Sequence, residues 1–159
     1  MRCGHCIRAV AWLVLIHLFV MPAAPLEAGE ALVRESIVLV SGAGEQRLDV
    51  EIANSDATRA RGLMFRRSLG PDQGMLFLYD GEQPISMWMR NTYISLDMIF
   101  IRADGRIQSI ARNTEPFSES VIRSGGPVSA VLEIAAGEAK RYGLKVGDEV
   151  RHSRFGNTP

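Results

Sequence analysis

Apolar residues fall in short runs broken by glycine, proline and acidic turns, a pattern that predicts strands rather than long helices. Residues 36–40 (SIVLV) and 47–53 (RLDVEIA) read as two strands, joined by a turn over 41–46 with Gly42 and Gly44. Asn54, Ser55 and Asp56 offer N-cap oxygens for a short helix to about Phe65, with Gly62 inside it or ending it. Gly74 opens the run MLFLY, a strand to Tyr79, and residues 85–90 (ISMWMR) and 97–102 (DMIFIR) are further strands. Asp104-Gly105 marks a tight turn into RIQSIA. Residues 112–127, with Pro116 and the Gly125-Gly126-Pro127 breaker, read as the longest loop. Residues 128–135 (VSAVLEIA) form a strand, 136–142 one or two helical turns ended by Gly143, and LKVGDEVRH carries a turn and a last strand.

About seven strands and two brief helices predict a mainly β fold, a single compact domain that is barrel-like or sandwich-like. The strands lie too close together for a doubly wound parallel sheet. MLFLY and DMIFIR show little alternation, so their strands are expected to be buried on both faces, or closed around a core.

The first residues follow other rules. Arg2 and Arg8 precede a twelve-residue apolar run over 9–20, then Pro22, Pro25 and small residues up to Ala28. This is the form of a secretory signal peptide over residues 1–28, cut after Ala28, and the run is shorter than a spanning helix needs. The expected organisation is a linker over 29–35, a domain over 36–153 and a tail over 154–159. The expected location is secreted or periplasmic, with no membrane attachment after cleavage; an uncleaved anchor is the alternative. Cys3 and Cys6 leave with the signal, so the mature domain has no disulfide and is held by its core.

Of 159 residues, 47% are hydrophobic and 23% charged, a globular composition. Lys plus Arg and Asp plus Glu are both 18, which argues against a nucleic-acid binder. Beyond the signal, His152 is the single histidine, so neither a His/Cys zinc site nor a Ser-His-Asp set is expected. No phosphate-binding glycine loop is present, and no cofactor or metal is expected.

Several blocks stand out: Arg61-Gly62-Leu63-Met64-Phe65-Arg66, Gly74-Met75-Leu76-Phe77, Met87-Trp88-Met89-Arg90-Asn91-Thr92, Leu96-Asp97-Met98, Leu132-Glu133-Ile134 and Gly143-Leu144-Lys145-Val146-Gly147-Asp148. Together they resemble domain-of-unknown-function family 192, small prokaryotic domains that often follow a signal peptide, over roughly residues 35–152. The resemblance implies a β-rich, barrel-like fold and an envelope or secreted setting. It implies no agreed activity.

On a strand, Met87 and Met89 would face one way and Trp88 and Arg90 the other. An exposed Trp88 beside Arg90, Asn91 and Tyr93 would make a stacking platform for sugars; alternatively, Trp88 closes the core. The five methionines Met64, Met75, Met87, Met89 and Met98 could bind copper(I), or simply fill the core. Asp97 and Glu133 sit in apolar runs and need partners, with Arg61, Arg66 and Arg90 the candidates. The leading expectation is a non-enzymatic envelope domain binding a small polar or glycan-like ligand through Arg66, Trp88, Asn91, Thr92 and Asp97. The alternatives are a polysaccharide hydrolase or lyase using Asp97 and Glu133 in one cleft, copper binding by converging methionines, and a structural or protein-partner module.

Overall fold

The computed structural model describes residues 32–158. β1 (Arg34–Ser41) and β2 (Gly44–Ala53) form a hairpin, and α1 (Asp56–Arg61) leads by a loop into β3 (Gln73–Met87). Then come β4 (Leu96–Ile101), β5 (Ile107–Ala111), β6 (Ile122–Ala135), α2 (Glu138–Arg141) and β7 (Glu149–Arg151), with a 3-10 turn at Ser153–Phe155. The strands form a single sheet in the order β5-β4-β6-β3-β2-β1-β7.

The sheet is curled, and its edge strands are tied at one end. Arg106 bridges Glu149, the Ile107 N–H donates to the Asp148 carbonyl at 2.9 Å, and the Val150 N–H donates to the Gly105 carbonyl at 2.8 Å. Backbone groups that an open sheet would leave at its edges are satisfied here. The fold is therefore a half-barrel in one domain, not a sandwich of two sheets.

Two cores result. The inner core draws on every strand, including Ile37, Leu48, Val50, Leu76, Ile99, Leu132 and Val150, with Ala139 and Leu144 covering it. The outer face of β3, β4 and β6 carries a second core of Met75, Phe77, Met98, Phe100 and Val131, covered by Leu63 and Met89 from loops. All six residues of β4 are buried, so DMIFIR is unalternating because both faces of its strand are covered.

Three expectations about elements change. The runs before Tyr79 and after Pro84 belong to one strand, β3, whose pairing with β6 shifts register between Leu78 and Gln83. Residues 88–90 lie beyond its end. The expected loop over 112–127 stops at residue 121, because the Gly125-Gly126-Pro127 breaker is held inside β6 with Pro127 opposite Pro84. Irregular pairing is where a strand tolerates proline. The 54–72 connection makes β2 and β3 parallel, the one pairing of that kind among the described strands.

The signal peptide expected over residues 1–28, its cut after Ala28, Cys3 and Cys6 all lie outside the described residues. No helix among the described residues is long and apolar enough to cross a membrane.

Asp97 is fully buried and shares the inner face with Ile134, its register partner on β6. One carboxylate oxygen accepts from the Asn113 N–H at 2.8 Å, the other from the Gly137 and Ala139 N–H groups, each at 3.0 Å. It ties β4 to the start of α2 and to the loop after β5. This corrects its expected place in a ligand group: its hydrogen-bonding capacity is spent on the fold. Asp97→Ala would strand three backbone donors and is expected to lower unfolding free energy in urea by about 3–5 kcal/mol. Ser129→Ala, which removes a buried hydroxyl without a partner, is expected to cost nothing.

Candidate functional site

The chain crosses the outer face in two places that carry sequence blocks, the turn after α1 and the loop after β3. α1 begins with a capping box in which Ser55 and Thr58 satisfy each other's backbone N–H groups, and it ends at Gly62 with φ 47°. A Cβ at Gly62 would lie 3.0 Å from the Phe77 ring, so this turn requires glycine. The turn buries Leu63 and aims Met64 into a cleft, while Phe65 points outward at φ 64°. The loop after β3 brings Trp88, Arg90 and Thr92 to the same place.

Between these crossings is a cleft open to solvent, with an internal volume of about 30 Å³. Its walls include Arg59, Arg61, Met64, Met87, Trp88, Arg90 and Thr92, and Glu133 of β6 is part of its lining. The register explains this placement. Glu51, Met75, Glu133 and Met98 are successive neighbours across β2, β3, β6 and β4, so they share the outer face. Glu51, nearest the flank, is reached by Arg34 at 2.9 Å and by both terminal guanidinium nitrogens of Arg66. Glu133 lies two strands further in, between buried Met75 and Met98. It has no hydrogen-bond or ion-pair partner among the described residues. Burial pushes its carboxyl up to about 8, so it is protonated at neutral pH and can donate a hydrogen bond.

Cations dominate the walls. Arg59 is tied to Asp56 and to the carbonyls of Asn54 and Leu78. Arg61 and Arg90 have no acidic partner among the described residues; Arg90 lies over the Trp88 ring, 4.4 Å from its centroid. Tyr79, on the same face as Met75, has its hydroxyl 3.7 Å from the Met87 sulfur and its titration raised by burial.

Outside the cleft is an aromatic shelf. Tyr93 packs 6.3 Å from Phe65 and 5.1 Å from Phe117, and Arg67 lies 5.3 Å from the Tyr93 ring. These three rings and Trp88 are all the exposed aromatic side chains of the described residues. Phe117, like Phe65, has positive φ, at 62°. Bulky residues rarely adopt that conformation, and the surrounding backbone bonds hold them there: Phe65 N–H to Asn91 O at 2.9 Å, Phe117 N–H to Thr92 O at 3.2 Å.

Of the five expected ligand residues, Trp88 and Thr92 line the cleft. Trp88 is 46% exposed, which makes it a rim residue rather than a core plug. Arg66 is held by Glu51, and the Asn91 side chain reaches the Met64 sulfur at 3.9 Å. Asp97 is on the other side of the sheet. The expected carboxylate pair is also corrected: Asp97 aligns with Ile134 and Met98 with Glu133, so the two acids face opposite sides of the sheet and share no cleft. Arg59 was not anticipated, because only the turn of α1 brings it over the outer face. The methionines divide between wall and core: Met64 and Met87 line the cleft, while Met89 is buried with its sulfur 3.1 Å from the Thr114 hydroxyl.

The unfolded chain loses the Glu133 proton near 4.5 and the folded chain near 8, so wild-type stability falls through that interval and levels off above it. Glu133→Gln removes this dependence. The variant is expected to gain on wild type by about 3–5 kcal/mol between pH 4.5 and 8.5, measured by urea unfolding across pH.

Residues 38–152 match the model of DUF192, described as an uncharacterized ACR. Two solved structures resemble the chain. A protein of Sinorhizobium meliloti 1021, named as a candidate transcription regulator, is 42% identical with a TM-score of 0.76, over 78% of this chain and 97% of that one. A protein of unknown function from Novosphingobium aromaticivorans DSM 12444 is 39% identical with a TM-score of 0.76, over 79% and 89%. The curated proteins contain no match. With the family model covering most of its length, the chain belongs to the DUF192 family.

Proposed function

We propose that this protein is a non-enzymatic binding domain of the cell envelope that takes a small polar, glycan-like ligand in the cleft beside Trp88. The observation that carries the reading is the convergence of four sequence blocks on one cleft. That cleft has an aromatic rim, unpaired polar side chains and a single buried carboxyl. A small, mostly preformed pocket with a few polar groups is the usual form of a ligand site. Trp88 offers an apolar ring to a sugar face, and Thr92, Arg61 and Glu133 are available to hydroxyl groups. The basic start and short apolar run at the amino terminus support an envelope location.

Catalysis by paired carboxylates has no support, since Glu133 stands alone in the cleft. Copper(I) binding is opposed by charge: the sulfurs that line the cleft, Met64 and Met87, share it with three guanidinium groups. A protein-partner role draws on the shelf of Phe65, Tyr93 and Phe117, and is the second reading. The name given to the Sinorhizobium protein suggests nucleic-acid regulation; the balanced charge of this chain weighs against carrying it over.

Calorimetric titration of the purified protein with monosaccharides and short envelope oligosaccharides tests the proposal. Saturable binding is expected, weakened at least about tenfold, or 1.4 kcal/mol, by Trp88→Ala in a variant with an unchanged thermal transition. Absence of saturable binding, or binding indifferent to Trp88→Ala, would overturn it.

A further inference from the structure

The composition of the cleft says more about its ligand than that it is polar. Resting on the binding reading above, we propose that the cleft selects an acidic sugar, its carboxylate held between Arg61 and Arg90 with Glu133 beneath it.

Three observations support this. First, the cleft carries uncompensated positive charge. Arg61 and Arg90 line it without an acidic partner among the described residues, while other arginines nearby are paired, Arg59 with Asp56 and Arg66 with Glu51. A guanidinium matches a carboxylate with two parallel hydrogen bonds, and it stays charged throughout the working pH range. Second, the one acid in the cleft does not cancel that charge. Glu133 is buried between two methionines, and burial keeps it protonated at neutral pH. A neutral carboxyl is a donor to an anionic oxygen, whereas an ionised one would repel it. Third, the cleft has an internal volume of only about 30 Å³, and Trp88 stands at its edge with Arg90 already over one ring face. That space takes a carboxylate and not a whole sugar, so the ring lies on Trp88 at the rim while its acid substituent enters the cleft.

The arrangement also couples binding to pH. The charged and titratable groups around Glu133 are Arg59 and Arg61 from α1, Arg90 from the loop after β3, and Tyr79 from β3; β4 presents Met98. None of the arginines loses its charge between pH 6 and 9. Glu133 is then the group whose ionisation changes the cleft in that range. A bound anion favours its protonated form, so affinity is constant below about 8 and falls above it.

The experiment is calorimetric titration of the full-length protein with galacturonate and with galactose, at pH 6 and pH 9. Galacturonate is expected to bind at least tenfold more tightly than galactose at pH 6 and to lose up to about tenfold by pH 9. Glu133→Gln, whose amide still donates, is expected to bind galacturonate at pH 6 and to keep that affinity at pH 9. The double variant Arg61→Gln, Arg90→Gln is expected to lose the preference for the acid and to bind the two sugars with equal affinity. Equal affinity for the two sugars, abolished for both by Trp88→Ala, would overturn acid selection and leave the binding reading standing. Galacturonate binding unaffected by the double arginine variant would also overturn it. Failure of both sugars and of every oligosaccharide would remove the binding reading itself.

Discussion

Alternation of side chains along β4 and β6, two neighbouring strands buried on both faces, governs what the inner acids of this protein can do. A strand with one solvent face can discharge a polar residue outward; these strands cannot. Each carboxyl must be satisfied inside the protein or kept neutral. Asp97 takes the first course, accepting three backbone N–H bonds on the inner face. Glu133 takes the second on the outer face, with burial holding its proton. The acids are close along the ladder, yet one register parity assigns one to the fold and the other to a cleft.

The outer core exists because loops cross the sheet where a simple barrel would meet solvent. Leu63 and Met89 plug that face, and their chain neighbours Met64, Trp88 and Arg90 form the cleft walls. The crossing at Gly62 combines a positive φ with a 3.0 Å approach to the Phe77 ring, so a side chain there is strained. Packing therefore fixes the position of the walls, and the same backbone turns hold Phe65 and Phe117 outward in conformations that an unconstrained loop would leave. Positioning of the cleft and stability of the outer core are one problem, so substitutions at Leu63 or Met89 act on both.

Much of the fold is legible in the residues. Two-sided burial of β4 is written in the apolar run Met98–Ile101, and Ser55 and Gly62 mark the ends of α1. Strand lengths are less legible, because Pro84, Gly125 and Pro127 normally end strands and here sit opposite one another at irregular pairing in β3 and β6. Of the site, Trp88 and Thr92 could be read from their block. Arg66 could not be placed, since its partner Glu51 depends on the parallel pairing of β2 with β3. Glu133 was visible as an acid in an apolar run, but its separation from Asp97 follows from the β4–β6 register and from nothing local.

The account rests on a neutral carboxyl beneath a cationic cleft, and isotope-edited carboxyl NMR across pH, assigned with Glu133→Gln, measures that state directly. The account predicts a carboxyl titrating near 8 that is absent from the variant. Titration of Glu133 in the ordinary carboxylate range would place a negative charge in the cleft at neutral pH and contradict the account.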